Sequence, residues 1–175
     1  MTVAVVRLSD LRVALDKSEN FGDVFEIVKK SVKHHLQKER GGLMLVLANL
    51  PIQLGAFHSL GSNSIVMNRS LLDRVVGSGH PPTYVKSFVY SILLHEYLHS
   101  LGLVDEGEVR DLVREVTFAT FGSDHPASKV ASEGPWSLLP NAGSKDLLLH
   151  TDGFEPNEVE LVKDFDRSQS ASYIG

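Results

Sequence analysis

Residues 82–108 read PTYVKSFVYSILLHEYLHSLGLVDEGE, and this stretch decides the fold. Its first part predicts one long helix from about Thr83 to Leu101, because Pro82 suits the first helical turn and Gly102 suits the position that ends a helix. Apolar side chains cover much of the circumference of this helix, at Val85, Phe88, Val89, Ile92, Leu93 and Leu94. A helix that is apolar on most sides is buried. We therefore expect it to be the central element of the fold.

The residues after this helix predict a second helix packed beside it. Asp105 is followed three residues later by Glu108, which is the spacing of a capping box at a helix start. Apolar residues then recur with helical spacing, at Val109, Leu112, Val113, Val116 and Ala119, until Gly122 ends the pattern. Because only a few residues join the two helices, we expect an antiparallel hairpin centred near Val104.

The residues before the long helix predict a further helix and a small sheet. Apolar residues recur on one face from Phe21 to about Lys38, as in an amphipathic helix. Three short strands are predicted at 43–47, 54–59 and 64–67, with turn-forming residues between them. This mixture favours an α+β fold, with a small mixed sheet of about three to four strands packed against the long helix and its flanking helices.

The last third of the chain is rich in proline and glycine. From Ser123 onward we expect loops, with one short helix over Pro156–Phe165. The segment 123–140 is long for a connection without structure, and such segments are often functional lids. Residues 1–166 are expected to form a single domain and residues 167–175 a flexible tail.

The composition narrows the classes of function. The chain has 175 residues, a net charge of −5 and no cysteine. Lys and Arg are scattered and form no basic stripe, which argues against a nucleic-acid partner. No apolar run approaches the roughly 20 residues of a membrane helix, and the lack of cysteine excludes thiolate metal sites and fits a reducing interior. We therefore expect a soluble cytoplasmic protein without membrane contact.

The long helix carries a pattern suited to metal chemistry, His95-Glu96-Tyr97-Leu98-His99. Residues four apart lie about 40° apart around a helix and one turn apart along it, so both imidazoles can reach one metal ion. Neutral imidazole is a preferred zinc ligand, and Glu96 can act as a base beside the ion. The alternative is two partly exposed histidines that interact favourably with the C-terminal end of the helix dipole.

This motif resembles the HExxH signature of the zincin metallopeptidases, and residues 43–115 are most similar to minimal gluzincin-like proteins. The resemblance implies one zinc ion per chain, with His95 and His99 as ligands and Glu96 as general base and acid. It also implies that the strand of Ser64, Ile65, Val66 and Met67 is a sheet edge along which an extended peptide substrate lies. An open edge offers unpaired N–H and C=O groups to a passing backbone.

The third ligand has several candidates. The residues His95 to Asp105 also resemble the extended metzincin pattern, which would make Asp105 the ligand, but the downstream methionine turn is missing. In the gluzincin interpretation a glutamate on the following helix binds the metal, and Glu108 is the preferred choice. Glu115 lies two turns further on and is a weaker candidate, and His125 could bind metal, orient a ligand or terminate a helix. Asp105 and Glu108 could instead serve only as helix caps.

Three functions fit these observations. The first is a zinc-dependent metallopeptidase that hydrolyses peptide bonds of a peptide or protein substrate. The second is a non-catalytic or latent zinc-binding domain with a regulatory or interaction role. The third is a regulatory peptidase that cleaves one specific partner. Glu96 favours the first over the second, because a structural zinc site needs no base and closes its fourth position.

Overall fold

The computed structural model describes residues 7–139 and 159–168. Six α-helices and a four-stranded sheet are formed by these residues. In chain order they are α1 (Leu8–Lys17), α2 (Phe21–Leu36), β1 (Met44–Ala48), β2 (Ala56–His58), β3 (Ser64–Asn68), α3 (Arg69–Gly77), α4 (Pro82–Ser100), α5 (Glu106–Phe121), α6 (Pro126–Glu133) and β4 (Val159–Leu161), with a 3-10 turn at Pro135–Leu138 between α6 and β4. The predicted α+β class and the small mixed sheet are confirmed.

Helix α4 is the central helix that the sequence predicts. Its core-forming side chains include Phe88, Tyr90, Leu93, Leu94 and Leu98, each at most 1% exposed. It packs against α2, α5, α6 and the sheet. Glycine ends the α4 region as expected, since Gly102 has a φ of +97°, a conformation that L side chains rarely adopt.

The sheet has the strand order β2-β3-β1-β4. Strands β1 and β3 are parallel, whereas β2 pairs antiparallel with β3 and β4 antiparallel with β1. The prediction that 64–67 is a sheet edge is therefore wrong, because β3 pairs on both sides. Strand pairing is non-local, and the alternation of apolar residues in β3 does not reveal how many neighbours it has. Among the residues in 7–139 and 159–168, β2 and β4 lie at the two edges of the sheet.

Residues 126–138 form helix α6 and the 3-10 turn, where the sequence analysis expected loops. The proline and glycine residues in this part lie at the two ends of the helix, so they do not interrupt it. Pro126 occupies the first helical turn, and Gly134 follows the last one with a φ of +88°. Val130 and Ala127 on α6 are buried, so its packing adds to the core.

The described part of the C-terminal region also differs from the predicted short helix. Residues 159–161 form β4, so the predicted helix over Pro156–Phe165 is wrong for the described residues of that range. Valine and leucine flank Glu160 in this strand, and alternation over three residues is too short to distinguish a strand from a helix. Residues 169–175 of the predicted tail lie outside the described residues.

None of the helices in 7–139 or 159–168 combines the length and apolar character that crossing a bilayer requires.

Candidate metal centre

The two motif histidines lie one turn apart near the C-terminal end of α4. Their Nε2 atoms are 3.2 Å apart, and both side chains are largely shielded from solvent, with exposed fractions of 24% for His95 and 12% for His99. The helical spacing that suggested the pair in the sequence thus brings both Nε2 atoms to one point in the structure.

A carboxylate from the next helix completes the group. Glu106 is the first residue of α5, and its Oε1 lies 2.8 Å from His99 Nε2 while its Oε2 lies 3.1 Å from His95 Nε2. One ligand atom from each residue lies within 4.8 Å of the other two, as a metal site requires. We call His95, His99 and Glu106 the His2Glu group.

Glu108, the predicted third ligand, does not lie beside the imidazoles in the structure. Two residues correspond to about 200° of rotation around a helix, so Glu108 points away from the side that Glu106 faces. Its backbone N–H donates to Asp105 Oδ1 at 2.8 Å, which makes Asp105 the N-cap of α5. Asp105 is therefore used as a cap.

Glu115 is also removed from the His2Glu group, since its Oε1 lies 3.1 Å from His35 Nε2. A signal for Glu106 was present in the sequence. Glu106 precedes Val109 by three residues and Val113 by seven, a spacing that places it on the apolar face of α5. The direction in which Glu106 points depends on how α5 packs against α4, which the local capping pattern of Asp105 and Glu108 does not determine.

The tautomer of His99 is determined by its second ring nitrogen. His99 Nδ1 lies 2.7 Å from the carbonyl oxygen of Leu103, so Nδ1 carries the proton and donates it. In the neutral ring Nε2 then has a lone pair that points at Glu106. Ligand histidines in metal sites are held by this kind of contact to a backbone carbonyl.

Glu96 lies beside the His2Glu group and is only 6% exposed. Its carboxylate accepts no hydrogen bond from the residues in the described ranges. Burial raises its pKa to about 7, and the nearby charge of His99 lowers the pKa while that of Glu106 raises it. A carboxylate with a pKa near neutrality is suited to accept and release protons.

Burial also lowers the pKa of His95. The charge of Glu106 opposes this shift, and the charges of His99 and Arg110 add to it. The neutral imidazole that a metal ligand requires is therefore favoured at His95.

Two members of the His2Glu group, His95 and Glu106, line a cavity of about 520 Å³ together with Glu96. One side is formed by α4 and α5, a second by residues 53–56 at the start of β2, and a third by 130–136. Trp136 Nε1 donates to the carbonyl oxygen of Ile52 at 3.0 Å, which ties the third side to the second. The segment suggested as a lid contributes a wall to this cavity, and none of Ser64, Ile65, Val66 and Met67 lines it.

His125 has a structural position. Its Nδ1 accepts from the backbone N–H of Ala127 at 3.1 Å, and its ring stacks on Phe121 with centroids 4.8 Å apart. It caps α6 and takes no part in the His2Glu group.

No family model, curated protein or solved structure matches this chain. The function is therefore inferred only from the geometry of the cavity and of the His2Glu group.

Proposed function

We propose that the protein is a zinc-dependent metallopeptidase with one zinc ion per chain. The observation that supports this is the convergence of His95, His99 and Glu106 beside a cavity that is lined by His95, Glu106 and the buried carboxylate of Glu96. Two histidines and one glutamate are a ligand set found in catalytic zinc sites, which leave one position open.

The chemistry of the donor set fits zinc. Ligand atoms about 2.1 Å from a tetrahedral ion lie about 3.4 Å from one another. In the His2Glu group the two Nε2 atoms are 3.2 Å apart, Glu106 Oε1 lies 2.8 Å from His99 Nε2, and Oε2 lies 3.1 Å from His95 Nε2. One ligand atom from each residue lies within 4.8 Å of the other two, which is the scale of that arrangement.

The contact between His99 and Glu106 favours a cation between the two side chains. His99 Nδ1 donates to the carbonyl oxygen of Leu103, so in the neutral ring the lone pair of Nε2 would face Glu106 Oε1 at 2.8 Å. Two electron pairs at this distance repel each other unless a second proton or a metal ion lies between them. The contact therefore favours a cation at this point, either a proton on His99 Nε2 or a metal ion bound by both residues.

The side chains of the site have distinct roles in peptide hydrolysis. When bound, zinc supplies Lewis acidity, which activates water and polarises the carbonyl of the peptide bond. Glu96 accepts the proton of the attacking water at its carboxylate and delivers it to the leaving amine. Burial of Glu96 keeps its proton affinity high enough for both transfers.

The free edge of β2 is the proposed platform for the substrate backbone. Among the described residues, β2 pairs only with β3, and the cavity is lined by Ala56 at its start and by residues 53–55 just before it. An extended peptide can pair with such an edge and so pass the metal in a defined direction. This proposal replaces the prediction that 64–67 binds the substrate.

The metal site is tested by zinc analysis of matched glutamate variants. The wild-type protein is expected to hold about one zinc per chain, and His95→Ala or His99→Ala to hold none. Glu106→Gln should weaken zinc binding at least about 10-fold, whereas Glu108→Gln should have little effect. Both glutamates lie in the first turn of α5, so the second variant controls for helix effects.

Three results would contradict the proposal. Full zinc retention in both histidine variants would show that the metal, if bound, lies elsewhere. A wild-type protein that takes up no zinc in titration would reduce the His2Glu group to a hydrogen-bonded cluster. A zinc-loaded protein that cleaves no member of a peptide library would favour the non-catalytic zinc-binding domain.

A further inference from the structure

Helix α5 carries three charged residues in one line along the cavity. Glu106, Arg110 and Arg114 are spaced by four residues, and all three line the cavity. Residues with this spacing lie on the same face of a helix, about 6 Å apart along its axis. The metal-binding glutamate is thus followed by two guanidinium groups along the same wall.

The two arginines have different environments. Arg114 Nη2 lies 2.8 Å from Asp111 Oδ1, so its charge already has a partner. Arg110 forms no ion pair or hydrogen bond with any residue in 7–139 or 159–168. Glu133 also lines the cavity, on the wall formed by α6, and within these ranges it pairs with neither arginine. Arg110 is thus the unpaired cation nearest to the His2Glu group along this line.

The remaining cavity surface is mainly apolar, with Ile92, Val113 and Trp136 among its lining residues. An unpaired guanidinium beside apolar walls can form charge-assisted, bidentate hydrogen bonds to a carboxylate. A rise of about 6 Å from Glu106 corresponds to about two residues of an extended peptide. The distance therefore fits a carboxylate that lies near the bond to be cleaved.

We propose that Arg110 determines specificity by binding a carboxylate of the peptide substrate about two residues from the scissile bond. The carboxylate can come from an Asp or Glu side chain or from a free C-terminus. This inference rests on the proposed metallopeptidase function, and it narrows the substrate class to peptides that carry a negative charge at this position.

Hydroxamate-capped dipeptides provide the test, because the hydroxamate binds zinc and the dipeptide extends along the cavity. One matched pair is Leu-Asp amide against Leu-Asn amide, which tests the side chain. The other is Leu-Leu with a free C-terminus against Leu-Leu amide, which tests the terminal carboxylate. Their affinities for the full-length, zinc-loaded protein are measured by calorimetry.

In at least one pair the charged member should bind about 10-fold more tightly. Arg110→Gln should remove that preference, and Arg110→Lys should retain part of it. Arg114→Gln should change it less than about two-fold, because Asp111 already pairs with this residue. Arg74→Gln is the control, since Arg74 is an exposed arginine on α3 that does not line the cavity.

The outcomes separate this inference from the function on which it rests. Tight binding of all hydroxamates with no preference in either pair, or a preference that survives in Arg110→Gln, overturns the role of Arg110 and leaves the metal site intact. If no hydroxamate binds to the zinc-loaded protein, the metallopeptidase proposal fails, and the role of Arg110 fails with it.

Discussion

Two buried carboxylates in this molecule have opposite surroundings. Asp166, which follows β4, is 9% exposed and is surrounded by donors. Lys29 Nζ lies 2.9 Å from its Oδ1, and the backbone N–H of Leu43 donates to its Oδ2 at 3.0 Å. Ser168 donates from both its backbone N–H and its hydroxyl. Glu96, at 6% exposed, receives no hydrogen bond from the described residues.

The pKa values reflect this difference. Burial alone would raise the pKa of Asp166, but the hydrogen bonds from Ser168, Leu43 and Lys29 outweigh burial, and the pKa is lowered from its ordinary value. For Glu96 burial is the largest influence, and the pKa rises to about 7. The charge of Asp166 is fully paired and stabilises the fold, whereas Glu96 lacks such partners and can exchange a proton near neutral pH. Such local departures from good pairing are typical of functional sites.

The largest expected effect is on catalysis. Glu96→Gln removes the proposed base without removing a metal ligand, so it should lower the rate of peptide cleavage by about 10² to 10⁴ while zinc content and fold are retained. Cleavage of a quenched fluorescent peptide library and zinc analysis measure both properties. A variant with the wild-type rate would contradict the role of Glu96.

The matched change at the paired carboxylate should act on stability. Asp166→Asn removes the charge that Lys29 pairs with, and loss of one partner of a buried pair costs about 3 kcal/mol of the free energy of unfolding. Denaturant titration measures this loss, and zinc affinity of the folded variant should stay unchanged. A variant as stable as wild type would show that the Asp166 contacts do not stabilise the fold.

The stability effect of Asp166 also has a defined pH range. The folded pKa lies below the ordinary value of 3.8, so the stabilisation is present above pH 3.8 and is lost as the pH falls through the folded pKa. The difference in stability between wild type and Asp166→Asn should therefore be constant from about pH 5 to 8 and shrink in acid. A stability difference between the two proteins that grows in acid would contradict this expectation.

The smallest predicted effect concerns Glu96 in zinc-free protein. Its folded pKa of about 7 lies above the ordinary value of 4.5, so folding favours the protonated form and stability decreases as the pH rises between these values. Glu96→Gln cannot ionise, so its stability relative to wild type should increase across this range by on the order of 2 kcal/mol. The lowered pKa of His95 makes stability rise with pH, but this contribution is present in both proteins and cancels in their difference. A pH-independent difference would mean that Glu96 is not held in a desolvated environment.

Local patterns predicted the helical part of the fold well. The apolar periodicity of α4, the N-cap at Asp105 and the helix end at Gly102 each depend on a few neighbouring residues, and the structure contains all three. The same locality brought His95 and His99 together, because their distance is determined by one turn of helix. The pairing of β3 on both sides depends on residues far away in the chain, so the prediction of β3 as an edge strand was wrong.

The sequence by itself determined the α+β class, the buried central helix and the positions of His95, Glu96 and His99 within one helical turn. Only the tertiary structure decided that Glu106 faces the two imidazoles, that β2 is the exposed edge beside the cavity, and that α6 supplies a cavity wall. The physical reason is that side-chain periodicity acts over a few residues. The direction in which α5 leaves the turn, and which strands lie at the edges of the sheet, depend on how distant elements pack together.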